Sequence, residues 1–317
     1  MRRFWAWPSE LRFRGVLGIN QRNGDYVLPN NPRCYYPRVD DKLLTKQICV
    51  RHGIPVPQTY AVIERHGDIQ RFPQLLDGRH DFVVKPCEGS EGRGILVIVD
   101  FQQESFITSS GERISVPDMR YHLSTILSGL YSLGGQPDRA IVEQRIVRHP
   151  VFESVAVKGT PDIRIILYRG VPVMAMVRLP TIASRGKANL HQGAVAAGVN
   201  LATGITSGGV CAGRAVSVHP DTGASIQHLQ VPYWEDLLSA AMNLASAIGL
   251  GYLGVDFVLD VNLGPVVLEA NARPGLAIQV ANRRGLRHRL DFIDAQSPEM
   301  RSPERRWELL EQLAEVV

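Results

Sequence analysis

The 317-residue sequence predicts a protein of the α+β class whose sheets are antiparallel. Three observations favour this class. Apolar, strand-like runs come in neighbouring pairs joined by short turns, helical patterns lie between those pairs, and no internal repeat is present. With 44% apolar and 21% charged residues, the composition is that of an ordinary globular protein with a large core.

The elements are predicted in chain order from their patterns. The first 38 residues contain many Asn, Gly and Pro turn signals and are predicted to be irregular. Asp40 is expected to cap a helix that runs to His52. Apolar periodicity and β-branched runs predict the remaining helices over 118–133, 234–248 and from Ser302, and strands over 82–85, 95–99, 140–144, 163–168 and 171–179. The Gly-rich stretch 186–223 is predicted to be a loop with short strands.

A hairpin near the carboxyl end carries the most informative side chains. Its strands flank a turn containing Asn and Gly, and if Asp260 faces Pro265, Asp256 lies directly opposite Glu269. Asn271 shares their face, because side chains repeat every second residue. Two facing carboxylates repel each other, and hard oxygen donors suit Mg²⁺, so we interpret the three as metal ligands. The alternative is a hairpin with one solvated face.

A lysine and a Gly-rich loop suggest phosphate binding. Lys85 ends a predicted strand, and the loop after it lets backbone amides approach a polyphosphate. The loop is not a Walker loop, because no Gly-Lys-Ser/Thr follows. An ordinary Gly-rich hairpin turn is the alternative. The candidate loop residues are Gly89, Ser90, Gly92 and Gly94.

Basic side chains recur in an otherwise apolar middle segment. Such groups could neutralise a γ-phosphate and a carboxylate during phosphoryl transfer, although single arginines at strand ends are usually just solvated. The basic residues are Arg164, Arg169, Arg178, Arg185, Lys187 and His191.

Charge and cysteine usage limit the partners and the compartment. Seven arginines precede Val39, against two acidic residues, so the net charge of +4 is concentrated at the amino end. Such a basic segment suits nucleic acid, an anionic membrane surface or an acidic substrate, and nucleic acid is disfavoured because no such module is recognisable. Four scattered cysteines, the lack of a secretory signal and the lack of a membrane span predict a cytoplasmic protein.

The order of motifs resembles the ATP-grasp superfamily, and within it the ribosomal protein S6 modification-type α-L-glutamate ligases. The likeness runs from about Asp40 to Gly275. It depends on a set of short segments that are weak singly and specific together. These are Asp41-Lys42, Val84-Lys85, Val142 to Ile146, Asp162-Ile163-Arg164, Asn189-Leu190-His191-Gln192-Gly193, and Asp256 with Glu269-Ala270-Asn271.

This resemblance implies an ATP-grasp fold, in which two α+β subdomains clamp ATP, and a ligase that joins a carboxylate to an amine. The reaction would proceed through an acyl-phosphate, with glutamate as a candidate acid and a peptide, protein or small molecule as the amine. The implied cofactors are ATP and two Mg²⁺ ions, with Mn²⁺ as a substitute. Transfer of phosphate to a carboxylate or hydroxyl without ligation, and a non-catalytic ATP sensor or scaffold, are the alternatives.

The resemblance also implies roles for individual residues. Lys42 and Lys85 would hold the α- and β-phosphates, and Asp256, Glu269 and Asn271 would hold the metal. The hinge formed by Glu143, Gln144, Arg145 and Ile146 would bind adenine, partly through its backbone. Asp162 would lie near the ribose or phosphates, Lys187 and Asn189 near the triphosphate, and Arg164, Arg178 and Arg273 would orient the carboxylate and the acyl-phosphate.

Two departures from the glutamate ligases shape the predicted domains. Only a basic arm, residues 1–39, precedes the ATP-grasp domain of residues 40–285, so the usual N-terminal domain is expected to be truncated, and a partner protein is a candidate to replace it. The chain is also a candidate for oligomer formation. Within that domain, residues 55–147 form the nucleotide-clamping subdomain, and residues 286–317 form a helical tail. The segment 198–232 is longer than the glutamate ligases need and is similar to that of ATP-grasp relatives associated with sugar transfer.

Overall fold

The computed structural model describes residues 6–89 and 92–315. Its contacts divide the chain into two units. The smaller unit contains residues 40–47 and 56–147, and the larger unit contains the chain up to Val39, residues 48–55 and the chain from Arg148 onward. Each unit is built on an antiparallel sheet that packs against helices, so the predicted α+β class is confirmed.

Six strands form the sheet of the smaller unit. They are β1 (Thr59–Ile63), β2 (Phe82–Pro86), β3 (Leu96–Gln102), β4 (Ser105–Thr108), β5 (Arg113–Ser115) and β6 (Ala140–Glu143). Their order is β1-β6-β2-β3-β4-β5, and every neighbouring pair is antiparallel. β2 and β6 are therefore central strands, which is why their side chains are almost completely buried.

The helix Val116–Leu127 packs the predicted apolar stripe into the core of the smaller unit. It begins earlier than predicted because Ser115 caps it, accepting the Asp118 amide at 3.2 Å. It also ends six residues earlier than the predicted Leu133. Gly129 adopts a φ of 83°, and a Cβ there would lie 2.1 Å from the Gln136 carbonyl oxygen, so the chain turns sharply at this point.

The segment before the first sheet is helical, so the prediction of irregular chain was wrong there. Asn31 shows why sequence signals misled: its side chain donates to the Tyr252 and Ala272 carbonyls and accepts the Tyr252 amide, all of them distant in sequence. Tertiary hydrogen bonds thus hold helices of poor intrinsic propensity. These are the helices Pro8–Phe13, Ile19–Gln21, Leu28–Asn30 and Pro37–Asp40, the π-helix Arg22–Val27 and the 3₁₀-helix Arg33–Tyr35.

Eight strands form the sheet of the larger unit. They are β7 (Asp162–Tyr168), β8 (Val171–Leu179), β9 (Val195–Val199), β10 (Ile205–Cys211), β11 (Arg214–Val216), β12 (Gln227–Gln230), β13 (Tyr252–Asp260) and β14 (Gly264–Asn271). The order is β11-β10-β9-β8-β7-β13-β14, with β12 pairing β10. The Gly-rich stretch is therefore more regular than predicted, because β9 to β11 belong to this sheet.

Helices complete both units. The predicted helix Trp234–Ile248 is confirmed, as is the closing helix Arg306–Glu315, which buries Leu309, Leu310 and Leu313. The helix Lys42–Arg51 begins after Asp41, whose carboxylate accepts the Leu43 and Leu44 amides, so the cap is not the predicted Asp40. The other helices are His66–Gln70, Phe72–Leu75, Ala277–Asn282 and Arg287–Asp294, with 3₁₀ turns at Leu133–Gly135, Pro150–Phe152, Leu190–Gln192 and Pro303–Arg305.

Across the described part of the chain, every helix is too short or too polar to cross a membrane.

Candidate functional site

The turn of the β13–β14 hairpin differs from the predicted one by one residue. Asp260 pairs with Gly264, not with Pro265. The Asp260 carboxylate accepts the amides of Asn262 and Leu263 at 2.8 and 2.9 Å, and Gly264 adopts a φ of 69°. These local bonds shorten the turn by one residue relative to the prediction.

A bulge restores the predicted pairing of the acids. Phe257 pairs with Val267 and Asp256 with Glu269, so Leu268 is the extra residue on β14. Without this bulge the shortened turn would place Leu268 opposite Asp256 and send Glu269 to the other face. Asp256, Glu269 and Asn271 therefore share a face, as the sequence predicts.

Two arginines on neighbouring strands bind the buried carboxylate of Asp256. Arg164, on β7, donates from Nε and Nη2 at 2.6 and 2.5 Å in a bidentate pair. Arg178, on β8, donates to Asp256 at 3.0 Å and forms a second bidentate pair with Asp162. Asp162 faces Arg178 across β7 and β8, and Arg164 faces Asp256 across β7 and β13, so sheet register builds the network.

The charges of this arginine–carboxylate cluster do not balance. Two guanidinium groups face the carboxylates of Asp162, Asp256 and Glu269, which leaves one excess negative charge when all are ionised. Burial opposes ionisation of Asp256, but Arg164 and Arg178 outweigh it and hold its pKa well below the usual range. Burial and the nearby Asp256 charge raise the pKa of Asp162, as expected for a carboxyl group in a cluster with excess negative charge.

The donors on this face fit a hard divalent cation. Glu269 is half-buried, accepts a long 3.3 Å hydrogen bond from the Asn271 side-chain amide, and lies within side-chain hydrogen-bonding reach of Asp256. Asp256 Oδ1 accepts a hydrogen bond from Arg164, and the two neighbouring carboxylates of Asp256 and Glu269 would repel each other less with a cation between them. Within residues 6–89 and 92–315 no three His, Cys, Asp or Glu side chains form a metal cluster, and the third donor is the amide oxygen of Asn271.

The segment after the hairpin packs tightly against β13. A Cβ at Gly254, which pairs with Asn271, would lie 2.5 Å from the Pro274 Cβ, so only glycine admits this turn. Arg273 is exposed and its guanidinium carbon lies 5.2 Å from the centre of the Tyr36 ring. Arg273 is therefore not part of the ion-paired network of Arg164 and Arg178.

The predicted triphosphate contacts of the larger unit lie in the loop that follows β8. Lys187 is exposed. The Asn189 side chain accepts the His191 amide at 3.0 Å and caps a 3₁₀ turn, which leaves its amide hydrogens for other partners. Their roles stay predictions.

In the smaller unit, two lysines share one buried carboxylate. Glu143, at the end of β6, forms an ion pair with Lys85 through one oxygen and with Lys46 through the other. All three side chains are no more than 7% exposed. Burial opposes ionisation of Glu143, but the two ammonium groups lower its pKa below the usual value. This Lys–Glu–Lys triad carries one net positive charge.

Lys42 and the Gly-rich loop lie beside this triad in the same unit. Lys42 Nζ donates to the Gly89 carbonyl at 2.5 Å, and a Cβ at Gly89 would collide with Pro86. Gly92 and Gly94 have positive φ values of 68° and 73°, as glycine-dependent turns require. Ser90 lies outside the described residues.

Several groups of the predicted adenine hinge already form hydrogen bonds or ion pairs within the protein. The Gln144 amide donates to the Gln58 carbonyl at 2.8 Å, and the Arg145 guanidinium pairs with Asp81 at 3.1 Å. Ile146 is half-buried, and the Glu143 side chain belongs to the triad. The adenine contact stays a prediction for the backbone of this hinge.

Sequence reasoning missed Lys46 and the group that anchors the Gly-rich loop. Lys46 lies four residues after Lys42, so the two share a helix face, which was the available signal. Asp138 accepts the Glu88 amide and the Ser132 hydroxyl at the start of the loop. Cys87, which follows β2, is fully buried, and burial raises its pKa to about 12, so it is a poor candidate for a nucleophile.

A comparison with known protein families shows which family this chain belongs to. The family described as sugar-transfer associated ATP-grasp matches residues 21–295. The chain belongs to this family. The matched part of this ATP-grasp protein includes the triad, the arginine–carboxylate cluster and the hairpin, and the ATP-grasp fold expected from the sequence is confirmed.

The curated relatives of this ATP-grasp protein are distant. It is 25% identical over 261 residues to a probable alpha-L-glutamate ligase of Sodalis glossinidius, covering 82% of this chain and 65% of that protein. A protein of the same name from Trichodesmium erythraeum is 25% identical over 265 residues, covering 83% and 66%. The chain thus spans slightly less than two thirds of the length of these relatives.

Solved structures show weaker likeness. D-alanine–D-alanine ligase from Bacillus anthracis is 14% identical with a TM-score of 0.47, covering 89% of this chain and 72% of that one. The ATP-grasp ligase PsnB complexed with minimal precursor is 13% identical with a TM-score of 0.45, covering 84% and 62%. Likeness at this level carries no functional argument.

Proposed function

We propose that this ATP-grasp protein is an ATP- and Mg²⁺-dependent ligase that joins a carboxylate to an amine through an acyl-phosphate. The observation that carries the proposal is the shared face of Asp256, Glu269 and Asn271 beside two arginines that internal carboxylates hold in place. The names of the curated relatives support glutamate as the acid.

The hairpin face would hold the metal. Asp256, Glu269 and Asn271 offer hard oxygen donors, and the excess negative charge of the cluster favours a divalent cation there. We propose two Mg²⁺ ions, with Mn²⁺ as a substitute. When bound, the metal would neutralise charge on the phosphate oxygens during transfer.

The smaller unit would bind nucleotide phosphates. In this proposal Lys85 and Lys46 act as point charges, and Glu143 keeps both in position without cancelling their combined charge. Lys42 and the loop amides around Gly92 would add donors, and the backbone of residues 143–146 would bind adenine. In the larger unit, Lys187 and Asn189 would contact the triphosphate.

The two arginines would serve the acyl substrate. A carboxylate oxygen attacks the γ-phosphorus, the bond to the bridging β–γ oxygen breaks and ADP leaves. The amine nitrogen then attacks the acyl carbon, phosphate leaves with the electrons of the C–O bond, and the amine loses a proton. Arg164 and Arg178 are fixed by bidentate pairs before substrate arrives, so they can stabilise this charge with little reorganisation. Arg273 would contact the substrate as a separate, exposed cation.

The test is ADP release with a panel of carboxylic acids, including glutamate, before and after amines are added. Release that needs both an acid and an amine supports ligation. Release with an acid alone, together with a stable phosphorylated product, would indicate a phosphotransferase. ATP binding without release under any condition would indicate a sensor or scaffold.

Substitution of a metal ligand sharpens this assay. We expect Glu269→Gln to lower ADP release by a factor on the order of 10–100, with partial recovery at high Mg²⁺, because a neutral amide is a weaker ligand. Glu153→Gln is the matched control, since Glu153 is exposed and lies outside the cluster. Full activity in Glu269→Gln would refute the metal assignment.

Three further features belong to the proposal. An amino acid or peptide would supply the carboxylate, a partner protein or an oligomer would complete the acceptor site, and the protein would be cytoplasmic. Light scattering of the purified chain would test for an oligomer, and a pull-down from a lysate of the source cells would test for a partner protein. Fractionation of those cells would test the cytoplasmic location.

A further inference from the structure

The larger unit contains an open groove of about 1250 Å³ that the proposed roles leave unused. Its walls come from the amino-terminal helices, the turn at residues 190–191 and the chain from Gly275 to His288. This volume exceeds the roughly 300–1,000 Å³ typical of pockets for small ligands. The groove therefore has room for something larger than a free amino acid.

The charges that line the groove have one sign. Among the described residues no Asp or Glu lines it, while four arginines and two histidines do. Clefts lined by one sign of charge concentrate ions of the opposite sign. The basic lining consists of Arg22, Arg283, Arg284, His191, His288 and Arg14, and Arg14 also forms a solvent-accessible ion pair with Glu10 at 3.0 Å outside the lining.

Arg22 is the buried member of this lining. It is only 6% exposed, and no carboxylate among the described residues lies within ion-pairing distance of it. Its Nη1 donates to the Pro274 carbonyl at 2.6 Å, and its buried Nε has no hydrogen-bond partner. A buried guanidinium without a counter-charge is costly, so an anion at this position would satisfy it. Arg22 also opens a π-helix, a form of helix often found at functional sites.

Several of the other lining residues are exposed and apolar. Ile19 is 63% exposed and Val280 is 48% exposed, on opposite walls of the groove. Leu11 and Phe13 add exposed apolar surface to the amino-terminal wall, and the half-buried Leu276 lies on the other. Nucleic acid fits this surface poorly, because a polyanion would leave the apolar walls uncovered.

The groove leads to the arginine–carboxylate cluster. Gly275 lines it, and a Cβ built on Gly275 would lie 4.0 Å from Arg164 Nη1. Gly275 also follows directly on Pro274, whose carbonyl binds Arg22. A ligand that pairs with Arg22 therefore has one end near the proposed acyl-phosphate chemistry.

We propose that this groove binds an acidic peptide segment with apolar side chains between its carboxylates. One carboxylate pairs with Arg22, further acidic groups pair with Arg14 and Arg284 at the rim, and the apolar side chains pack on Ile19 and Val280. That the bound peptide is a substrate of the ligation depends on the proposed function, whereas its binding does not.

The test measures fluorescence anisotropy of labelled peptides with the full chain and no ATP. We expect saturable binding of a peptide of alternating Glu and Leu, weakened by salt. Peptides of alternating Lys and Leu, and of alternating Glu and Ser, should bind at least about tenfold more weakly, a difference of about 1.4 kcal/mol. Equal binding of either control peptide would overturn the proposal.

Charge-reversal variants locate the site. Arg14→Glu combined with Arg284→Glu should raise the Kd of the Glu-Leu peptide at least about tenfold. Arg12→Glu is the matched control, since Arg12 is exposed on the helix that Arg14 caps but does not line the groove. Arg22→Gln should weaken peptide binding as well, and thermal unfolding shows whether this variant is folded. If Arg22→Gln does not fold, the variants at the exposed Arg14 and Arg284 still decide the test.

Three outcomes would refute the groove as a peptide site. These are no saturable binding by the unmodified chain, equal weakening by Arg12→Glu, or displacement of the peptide by an oligonucleotide through the same arginines. ADP release is measured separately. A chain that ligates but does not bind the peptide would refute this inference alone, and one that binds it without releasing ADP would refute only the proposed function.

Discussion

At the residue scale, Glu143 holds two lysines that would otherwise repel each other. Lys46 and Lys85 approach different oxygens of its carboxylate, and all three groups are buried. Removing the carboxylate charge takes from both buried ammonium groups the counter-charge that Glu143 supplies, which is far more costly than losing an exposed ion pair.

We therefore expect Glu143→Gln to lower the free energy of unfolding by about 3–5 kcal/mol at neutral pH, measured by urea denaturation. Glu112→Gln, an exposed site in the same unit, should change it by less than about 0.5 kcal/mol.

The loss of stability in Glu143→Gln should also depend on pH, and the pKa of Glu143 gives the direction. The pKa of Glu143 is lower in the folded chain than the ordinary value of 4.5, so its stabilisation is complete above that value and is lost as the pH falls towards the folded pKa. The difference in the free energy of unfolding between the unmodified chain and Glu143→Gln should become smaller below about pH 4.5. A difference that stays constant or widens in acid would contradict the triad.

Individual site residues were predictable where local pattern determines them. Glu269 and Asn271 could be assigned to one face because alternation along a strand is fixed by backbone geometry. Their pairing with Asp256 agrees with the prediction because the bulge at Leu268 offsets the shortened turn. The pairing of Glu143 with Lys46 and Lys85 joins a helix to two strands from separate parts of the sequence, so no local pattern contains it. Arg22 was likewise hidden, because its buried environment is created by residues around Pro274.

At the element scale, the shared face of Asp256, Glu269 and Asn271, which we propose holds the metal, depends on two features of the hairpin. The bulge at Leu268 aligns Glu269 with Asp256, and Gly254 lets Pro274 pack against β13. The contact at Gly254 can be tested without touching a charged group.

We expect Gly254→Ala to lower the free energy of unfolding by about 1–3 kcal/mol in urea denaturation, because its Cβ overlaps Pro274. Gly24→Ala is the matched control: nothing lies within 4 Å of its Cβ, so its stability should be unchanged or slightly raised. Equal stability of the two variants would show that the segment after β14 tolerates displacement.

Elements with strong periodicity were predicted best. The helix Trp234–Ile248 and the strand Val171–Leu179 have the predicted bounds, because both are apolar and end at clear glycine or turn signals. Elements held by distant contacts were predicted worst, as the helices around Asn31 show. The hairpin turn was misread because the Asp260 carboxylate caps it, which hydrophobic alternation does not record.

At the scale of the whole molecule, family and fold class were within reach of the sequence, and the substrates were not. The ATP-grasp family is recognisable from the order of its motifs, and the family match over residues 21–295 confirms it. The groove beside Gly275 combines residues from both ends of the chain, so only the folded larger unit shows where an acidic peptide could lie.

The central claim, that the reaction passes through an acyl-phosphate, is tested most directly by an oxygen-isotope label that is placed in the carboxylate of the acid and detected in the released phosphate. An acid that supports ADP release, beginning with glutamate, is labelled in its carboxylate and incubated with ATP, Mg²⁺ and an amine, and the inorganic phosphate is analysed by mass spectrometry. An acyl-phosphate route transfers one labelled oxygen to each phosphate released with amide, and Glu269→Gln should suppress product and labelled phosphate together. Amide formed with unlabelled phosphate would contradict the account.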